Sequence, residues 1–176
     1  LYKAPAAPEA HAVLLLDLNG FKKINDIHGH PVGDEVLIHV GSRLLNAVRE
    51  GDMVARLGGD EFAVLARNVA GPEAATNIAM RIIDGLTAPI SGGRKKHVVG
   101  TAIGITLSPQ DGASADELFR TADVTLSRAK SDRGSTLRFF EPAMDSQLRE
   151  REVLETALHK ALVDDSIIVR FKPIVA

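Results

Sequence analysis

The chain contains no cysteine, and this absence excludes disulfides and thiolate metal sites. Long apolar runs are also missing. Continuous apolar stretches such as residues 12–16 are far shorter than the roughly 20 residues that a membrane helix needs. We therefore expect a domain of the reducing cytoplasm that does not itself cross or contact a membrane, although segments elsewhere in the parent protein could anchor it.

A stripe of positive charge is absent as well. Lysine and arginine are spread along the chain, and the formal net charge is -2. A nucleic-acid backbone is normally bound by clustered basic residues, so a nucleic-acid polymer is not an expected partner. With 176 residues, 45% of them hydrophobic, the chain is large enough to bury the core of one domain.

Apolar patterning predicts strands that alternate with helices. The predicted order βααββαβαβ favours an α+β ferredoxin-like sandwich, with a central mostly antiparallel sheet and an inserted helix and β-hairpin. A doubly wound parallel sheet is the alternative. Pro31 and Gly33 are expected to separate the first two helices. The predicted elements are strand 12–16 ending at Asp17, helices 21–28 and 34–48, hairpin 53–57 with 62–65, helix 72–86, strand 98–107, helix 116–130 and strand 137–140.

These elements delimit one domain at residues 12–140, preceded by an Ala/Pro-rich lead-in at 1–11. A charged helix is predicted at 141–165, with apolar residues on one face. Residues 166–176 are expected to form a strand that begins a second domain.

Three acidic residues are predicted to converge. Asp17 ends a buried strand, while Asp60 and Glu61 occupy a hairpin tip that the pair Gly58-Gly59 allows to turn tightly. Neighbouring strands lie only about 5 Å apart, so these acids would repel one another unless a hard cation such as Mg²⁺ took their oxygens. The alternative is that all three are solvated loop acids.

Three ordered motifs give the chain a family resemblance. Residues 56–62 read RLGGDEF, residues 17–26 read DLNGFKKIND, and residues 29–37 read GHPVGDEVL. Together they resemble the GGDEF family of diguanylate cyclases over about residues 12–140. The resemblance implies a nucleotide-cyclase or polymerase-palm-like fold and a Mg²⁺-dependent (or Mn²⁺-dependent) enzyme that makes cyclic di-GMP from GTP.

For the reaction centre, the resemblance implies that Asp17 and Asp60 ligate the metals, with the Leu18 carbonyl as a further oxygen. Asp60 or Glu61 would help to deprotonate the attacking hydroxyl. Lys22 would offset negative charge in the transition state. Because one domain holds one GTP and the reaction needs two, a homodimer is expected during turnover.

For the substrate, the resemblance implies that Asn25 and Asp34 bind the guanine base, with Phe21 beside them. A carboxylate can accept the N1 and N2 hydrogens that guanine presents and adenine lacks. The alternative is that Asn25 and Asp34 merely cap helix ends. The triphosphate would be bound by residues that allow close approach or carry positive charge, namely Gly58, Gly59 and Lys130.

Residues 49–52 read REGD and match the family's product-inhibition site. Arg49 and Asp52 are therefore expected to bind cyclic di-GMP away from the reaction centre. The alternative is a surface turn with an incidental ion pair. The histidines show no metal-ligand spacing and are assigned no role.

Two departures from a simple cyclase remain. The family pattern Ala-Lys-x-x-Gly-Arg is replaced at 129–134 by AKSDRG, so Arg133 is displaced by one position. Residues 154–158 and 171–175 resemble the opening of an EAL phosphodiesterase domain. A GTP-binding module that regulates an attached phosphodiesterase without turning GTP over is therefore the alternative to an active cyclase.

Overall fold

A computed structural model describes residues 10–93, 95–131, 136–144, 154, 156–157 and 160–164. The chain divides into two compact units, Leu1–Glu141 and Pro142–Ala176. Of the second unit, the described residues include short helical stretches at 142–144 and 160–163. Most of the predicted helix 141–165, the whole predicted strand 166–176 and Arg133 lie outside the described residues, so these assignments stay predictions.

The helices and strands of the first unit match the predicted order, with one addition. The bounds are β1 His11–Asn19, α1 Phe21–His28, α2 His30–Ala47, β2 Met53–Gly58, β3 Glu61–Ala66, α3 Pro72–Thr87, β4 Ile90–Gly92, β5 Lys95–His97, β6 Gly100–Ser108, α4 Ala115–Lys130 and β7 Thr136–Phe139.

The main sheet has five strands in the order β2-β3-β1-β6-β7, and β4 pairs with β5 in a separate small sheet. All neighbours in the main sheet are antiparallel except β6 and β7. The predicted α+β fold with a mostly antiparallel sheet is confirmed. The doubly wound alternative is wrong, because parallel crossovers would have made the central pairs parallel.

Strand β1 lies in the centre of this sheet and is covered on both faces. Leu14 and Leu16 belong to the core formed with α1, α2 and α3, whereas Val13 and Leu15 lie in a second cluster with α4. This double burial explains why β1 reads as a continuous apolar run rather than an alternating one. Asp17, next in the alternation after Leu15, therefore faces α4.

Three boundaries were predicted wrongly. Strand β1 continues to Asn19, so Asp17 lies two residues before its end rather than at it. Helix α2 begins at His30, so Pro31 and Gly33 lie inside its first turns instead of separating it from α1. Proline is tolerated at the start of a helix because its missing N–H has no partner there in any case. Strand β6 begins at Gly100, not at Val98, which is 67% exposed. The short β4–β5 hairpin was missed because three-residue strands carry too little pattern to recognise.

Helix α4 lies very close to the sheet at Gly104 of β6. A Cβ atom at Gly104 would lie 2.6 Å from the carbonyl oxygen of Ala122 and closer still to the backbone nitrogen of Leu126. Neither backbone atom can move away without shifting the helix. The missing side chain therefore fixes the distance between α4 and the sheet.

We predict that Gly104→Ala lowers the free energy of unfolding by about 1–3 kcal/mol, because overpacking forces backbone shifts. Urea denaturation followed by circular dichroism measures this. Gly85→Ala is the control, since a Cβ at Gly85 would meet no atom within 4 Å. Equal stability of the two variants would contradict the close approach at Gly104.

Candidate active site

Asp17 lies at one end of the sheet between two partner strands. In the antiparallel register it is opposite Glu61 of β3 and opposite Ala102 of β6. Residues that pair in this way direct their side chains to the same face of the sheet. Asp17 and Glu61 therefore both face α4, and the side chain of Asp17 is only 16% exposed.

The turn between β2 and β3 carries Asp60 and is fixed by side-chain and backbone contacts. Gly59 has a φ of 51°, a left-handed conformation that favours glycine. The guanidinium of Arg56 donates two hydrogen bonds to the Gly59 carbonyl, of 3.1 Å from Nε and 2.8 Å from Nη2. The backbone N–H of Leu18 donates to the Asp60 carbonyl at 3.2 Å. The turn is thus tied to β1 beside Asp17.

Lys130, in the last turn of α4, bridges the two facing acids. Its Nζ lies 2.7 Å from Oδ2 of Asp17 and 3.2 Å from Oε1 of Glu61. These contacts join three elements that are distant in the sequence: the end of β1, the start of β3 and the end of α4. Sequence reasoning assigned Lys130 to the triphosphate and did not foresee its pairing with the acids.

Two groups of this cluster, Asp60 and Lys130, have a shifted pKa. Partial burial raises the pKa of Asp60 above its usual value; its own backbone N–H and Lys130 oppose this, whereas the charges of Asp17 and Glu61 add to it. For Lys130, burial lowers the pKa, but hydrogen bonds to Asp17 and Glu61 outweigh burial and raise the pKa above its usual value. The cluster is therefore an anionic site whose three carboxylates are only partly offset by the positive charge of Lys130.

A divalent cation at this site would need further oxygen ligands besides the carboxylates. Within the described ranges, no group of three or more histidine, cysteine or acidic side chains is arranged to hold a metal. Mg²⁺ commonly binds to one or two carboxylates and takes its other oxygens from water and phosphate. The charge of Asp17 acts on Asp60, so these two carboxylates suit a cation that arrives together with a phosphorylated ligand.

Phe21, Asn25 and Asp34, the predicted base-binding residues, belong to the helix pair α1–α2. Phe21 is 5% exposed and belongs to the core, while Asp34 lies exposed in α2. The side-chain oxygen of Asn25 is buried and has no hydrogen-bond partner among the described residues. Lys22 is exposed on α1. Phe21 thus supports the position of α1.

Arg49 and Asp52 form the turn between α2 and β2, but Asp52 is not free. Its side chain is 3% exposed. Its carboxylate accepts the backbone N–H groups of Arg49 and Arg67, each at 3.0 Å. Arg49 in turn donates from Nη2 to the Arg67 carbonyl at 3.1 Å. Asp52 therefore organises the turn that presents Arg49.

A cavity of about 230 Å³ lies beside this turn. One of its lining residues, Arg81, was not predicted from the sequence. Arg49 lines the cavity together with Asn77 and Arg81 of α3. Arg81 is an exposed helical arginine with no motif around it, so only the packing of α3 beside the turn identifies it. The cavity thus presents two guanidinium groups from separate elements.

A family model described as the diguanylate cyclase GGDEF domain matches residues 1–136. The chain belongs to the GGDEF family. Within the described residues of this GGDEF domain, no helix is both long and apolar enough to span a bilayer.

Relatives and solved structures agree with this family. The chain is 38% identical over 98% of its length to an uncharacterized signaling protein of Caulobacter vibrioides, of which it covers 21%. It is 37% identical over 92% of its length to MucR, a bifunctional diguanylate cyclase/cyclic di-GMP phosphodiesterase of Pseudomonas aeruginosa, of which it covers 24%. The GGDEF domain of TpbB from Pseudomonas aeruginosa has a TM-score of 0.77 at 38% identity, with 80% of this chain and 83% of that one covered.

The chain spans only about a fifth to a quarter of the length of these curated relatives. The activities named for those relatives therefore refer to proteins much longer than this chain.

We predict that Lys130→Met lowers the free energy of unfolding by about 0.5–1 kcal/mol, the upper part of the range for partly exposed ion pairs. The loss should be present at neutral pH, because the raised pKa keeps Lys130 charged until the pH exceeds its usual titration range. Urea denaturation in buffer containing EDTA measures it. Arg128→Met, which removes an exposed charge from the same helix end, is the control. Identical midpoints for the two variants would show that the bridge contributes nothing.

Proposed function

We propose that this domain is a diguanylate cyclase that condenses two GTP molecules into cyclic di-GMP. The observation that carries the proposal is the register of β1 with β3, in which Asp17 lies opposite Glu61, the residue that follows the exposed Gly58-Gly59 turn and Asp60. Anionic oxygens and an open glycine turn at one edge suit a triphosphate bound with a cation. The family membership supports the same activity.

The carboxylates of Asp17 and Asp60, with the Leu18 carbonyl, would hold Mg²⁺ or Mn²⁺. When bound, such ions polarise the phosphates and stabilise the charge that develops on them. Lys130 contacts Asp17 and Glu61 and would supply a further positive charge to the triphosphate. Lys22, exposed on α1, would add another.

Asn25 and Asp34 would read the guanine base. The buried oxygen of Asn25 has no partner among the described residues. This supports a recognition role, because a buried polar atom without a hydrogen bond calls for an explanation. The exposed carboxylate of Asp34 could accept both hydrogens of the guanine edge. Adenine offers no such pair, so the site would discriminate by the base.

In the proposed reaction, the 3′-oxygen of one GTP forms a bond to the α-phosphorus of the other, and the bond from that phosphorus to the β-phosphate oxygen breaks. Pyrophosphate leaves, and Asp60 or Glu61 accepts the hydroxyl proton. The reciprocal reaction closes the ring, so two domains must face one another as a homodimer.

We predict that Asp60→Asn abolishes cyclic di-GMP formation, because the amide keeps the shape of the side chain but removes a ligand charge and the proton acceptor. The purified chain at high concentration would be incubated with GTP and Mg²⁺, and the nucleotides separated by chromatography. Asp84→Asn, an exposed acid on α3, is the matched control and should retain wild-type turnover. Product formation by Asp60→Asn at the wild-type rate would refute the assignment.

A GTP-binding regulatory module is the second candidate. It is favoured by the relationship to the cyclic di-GMP phosphodiesterase PdeR of Escherichia coli, 35% identical over 92% of this chain. In this case the domain would bind GTP and control an attached EAL domain. Residues 154–158 and 171–175 resemble the opening of such a domain. The same chromatography separates the candidates: unchanged, tightly bound GTP supports the regulator, and cyclic di-GMP supports the cyclase. The absence of cysteine suits a cytoplasmic setting for either activity.

The cavity beside Arg49 is proposed to bind cyclic di-GMP as a feedback inhibitor. Two arginines from different elements, Arg49 and Arg81, line it and could each contact phosphate or a guanine edge. Asp52 would act by holding the turn, since its carboxylate is already engaged by two backbone N–H groups.

We predict that Arg49→Ala and Arg81→Ala each weaken cyclic di-GMP binding by about tenfold to a hundredfold, as expected for lost hydrogen bonds to a charged group. Isothermal calorimetry measures the affinity. Arg128→Ala, on the opposite side of the sheet in α4, should bind as the wild type does. Undiminished binding by Arg49→Ala would remove this cavity from the proposal.

A further inference from the structure

Gly33 lies inside a helix, and its backbone conformation does not require glycine. It lies in α2 and is buried there, and its φ is not in the left-handed region. A glycine at such a position costs about 0.5–1 kcal/mol of stability relative to alanine. The reason for glycine must therefore lie in what surrounds it.

The space beside Gly33 is filled by two side chains of α1. A Cβ atom at Gly33 would lie 2.9 Å from Cγ of Asn25, closer still to its Oδ1, and 3.2 Å from Cζ of Phe21. Real Cβ contacts with such atoms are wider than this. Any side chain at Gly33 would therefore force the Asn25 amide to move, because the Phe21 ring is held in the core.

The side-chain oxygen of Asn25 gains no hydrogen bond within the described residues from this position. This Oδ1 atom is buried without a partner among the described residues, an arrangement that ordinarily costs about 1–3 kcal/mol. The helix pair thus combines a glycine where alanine would be more stable and an amide oxygen that is buried without a hydrogen bond. Two unfavourable choices at one contact indicate selection for something other than stability.

We propose that Gly33 is a positioning residue for base recognition: its missing side chain admits the Asn25 amide against α2. This inference rests on the proposed function, and it adds a residue that determines specificity through Asn25. Asp34 follows Gly33 directly in α2, so the contact also sets the place of the amide relative to that carboxylate. The ligand it serves is the base of a guanine nucleotide.

The consequence is that Gly33→Ala should impair base selection more than triphosphate binding. We predict that the preference for GTP over ATP falls by a factor of about ten, as expected when one hydrogen bond is lost or misaligned. Affinities would be measured by calorimetry with α,β-methylene analogues of GTP and ATP in the presence of Mg²⁺, because these analogues bind without being cleaved.

Gly41→Ala is the matched control. Gly41 lies in the same helix, and a Cβ there would meet no atom within 4 Å. It should keep wild-type nucleotide preference. Thermal unfolding of both variants establishes that they are folded at the temperature of the titrations.

A double-mutant cycle with Asn25→Ala tests whether Gly33 acts through the amide. In the Asn25→Ala background, the clash is relieved, so Gly33→Ala should cause no further loss of GTP preference. An equal loss in both backgrounds would overturn the proposal, as would unchanged preference in Gly33→Ala itself. A wild-type chain that binds both analogues equally would instead refute the proposed function, and the two failures are thereby distinguished.

Discussion

The pairing of β1 with β3 determines what meets at the hairpin end of the sheet. Its register sets Asp17 opposite Glu61, and a shift by one residue would turn one of these side chains to the other face. Such a shift is opposed by burial on both faces of β1, where Leu14 and Leu15 contribute to different apolar clusters. The apolar core thereby holds an arrangement of like charges that the acids alone would not maintain.

Charge balance at this end of the sheet comes from a third element. Lys130 reaches Asp17 and Glu61 from the end of α4, and α4 can lie close enough because Gly104 has no side chain. The charge distribution of the site therefore depends on helix–sheet packing some distance along β6. For the proposed reaction, this means that substitutions under α4 can alter catalysis without touching substrate.

Much of this could be predicted from the sequence because it depends on local pattern. The buried run before Asp17 predicted the central strand, although that strand continues to Asn19, and the glycine pair before Asp60 predicted the turn. Together these features predicted that the acids converge. The pairing of Lys130 with the acids and the place of Arg81 beside Arg49 were not predictable in this way. Both depend on where a helix crosses the sheet, which periodicity does not specify.

The helix boundary at Pro31 and Gly33 was wrong for a related physical reason. Proline and glycine commonly mark turns, but both also occur at helix starts or at close contacts. Here Pro31 suits the first turn of α2, and Gly33 admits Asn25. A glycine that looks like a helix breaker in the sequence is, in the folded chain, a contact point between two helices.

The turn that carries Asp60 is held by Arg56 and by the backbone of Leu18. A loop that is built in advance has little ordering entropy left to lose when a ligand arrives. For a cyclase of the proposed kind, the slow event would then be the encounter of two loaded domains rather than the shaping of either one. At low protein concentration the rate would follow the square of that concentration, and any signal that tethers two chains would act as an accelerator.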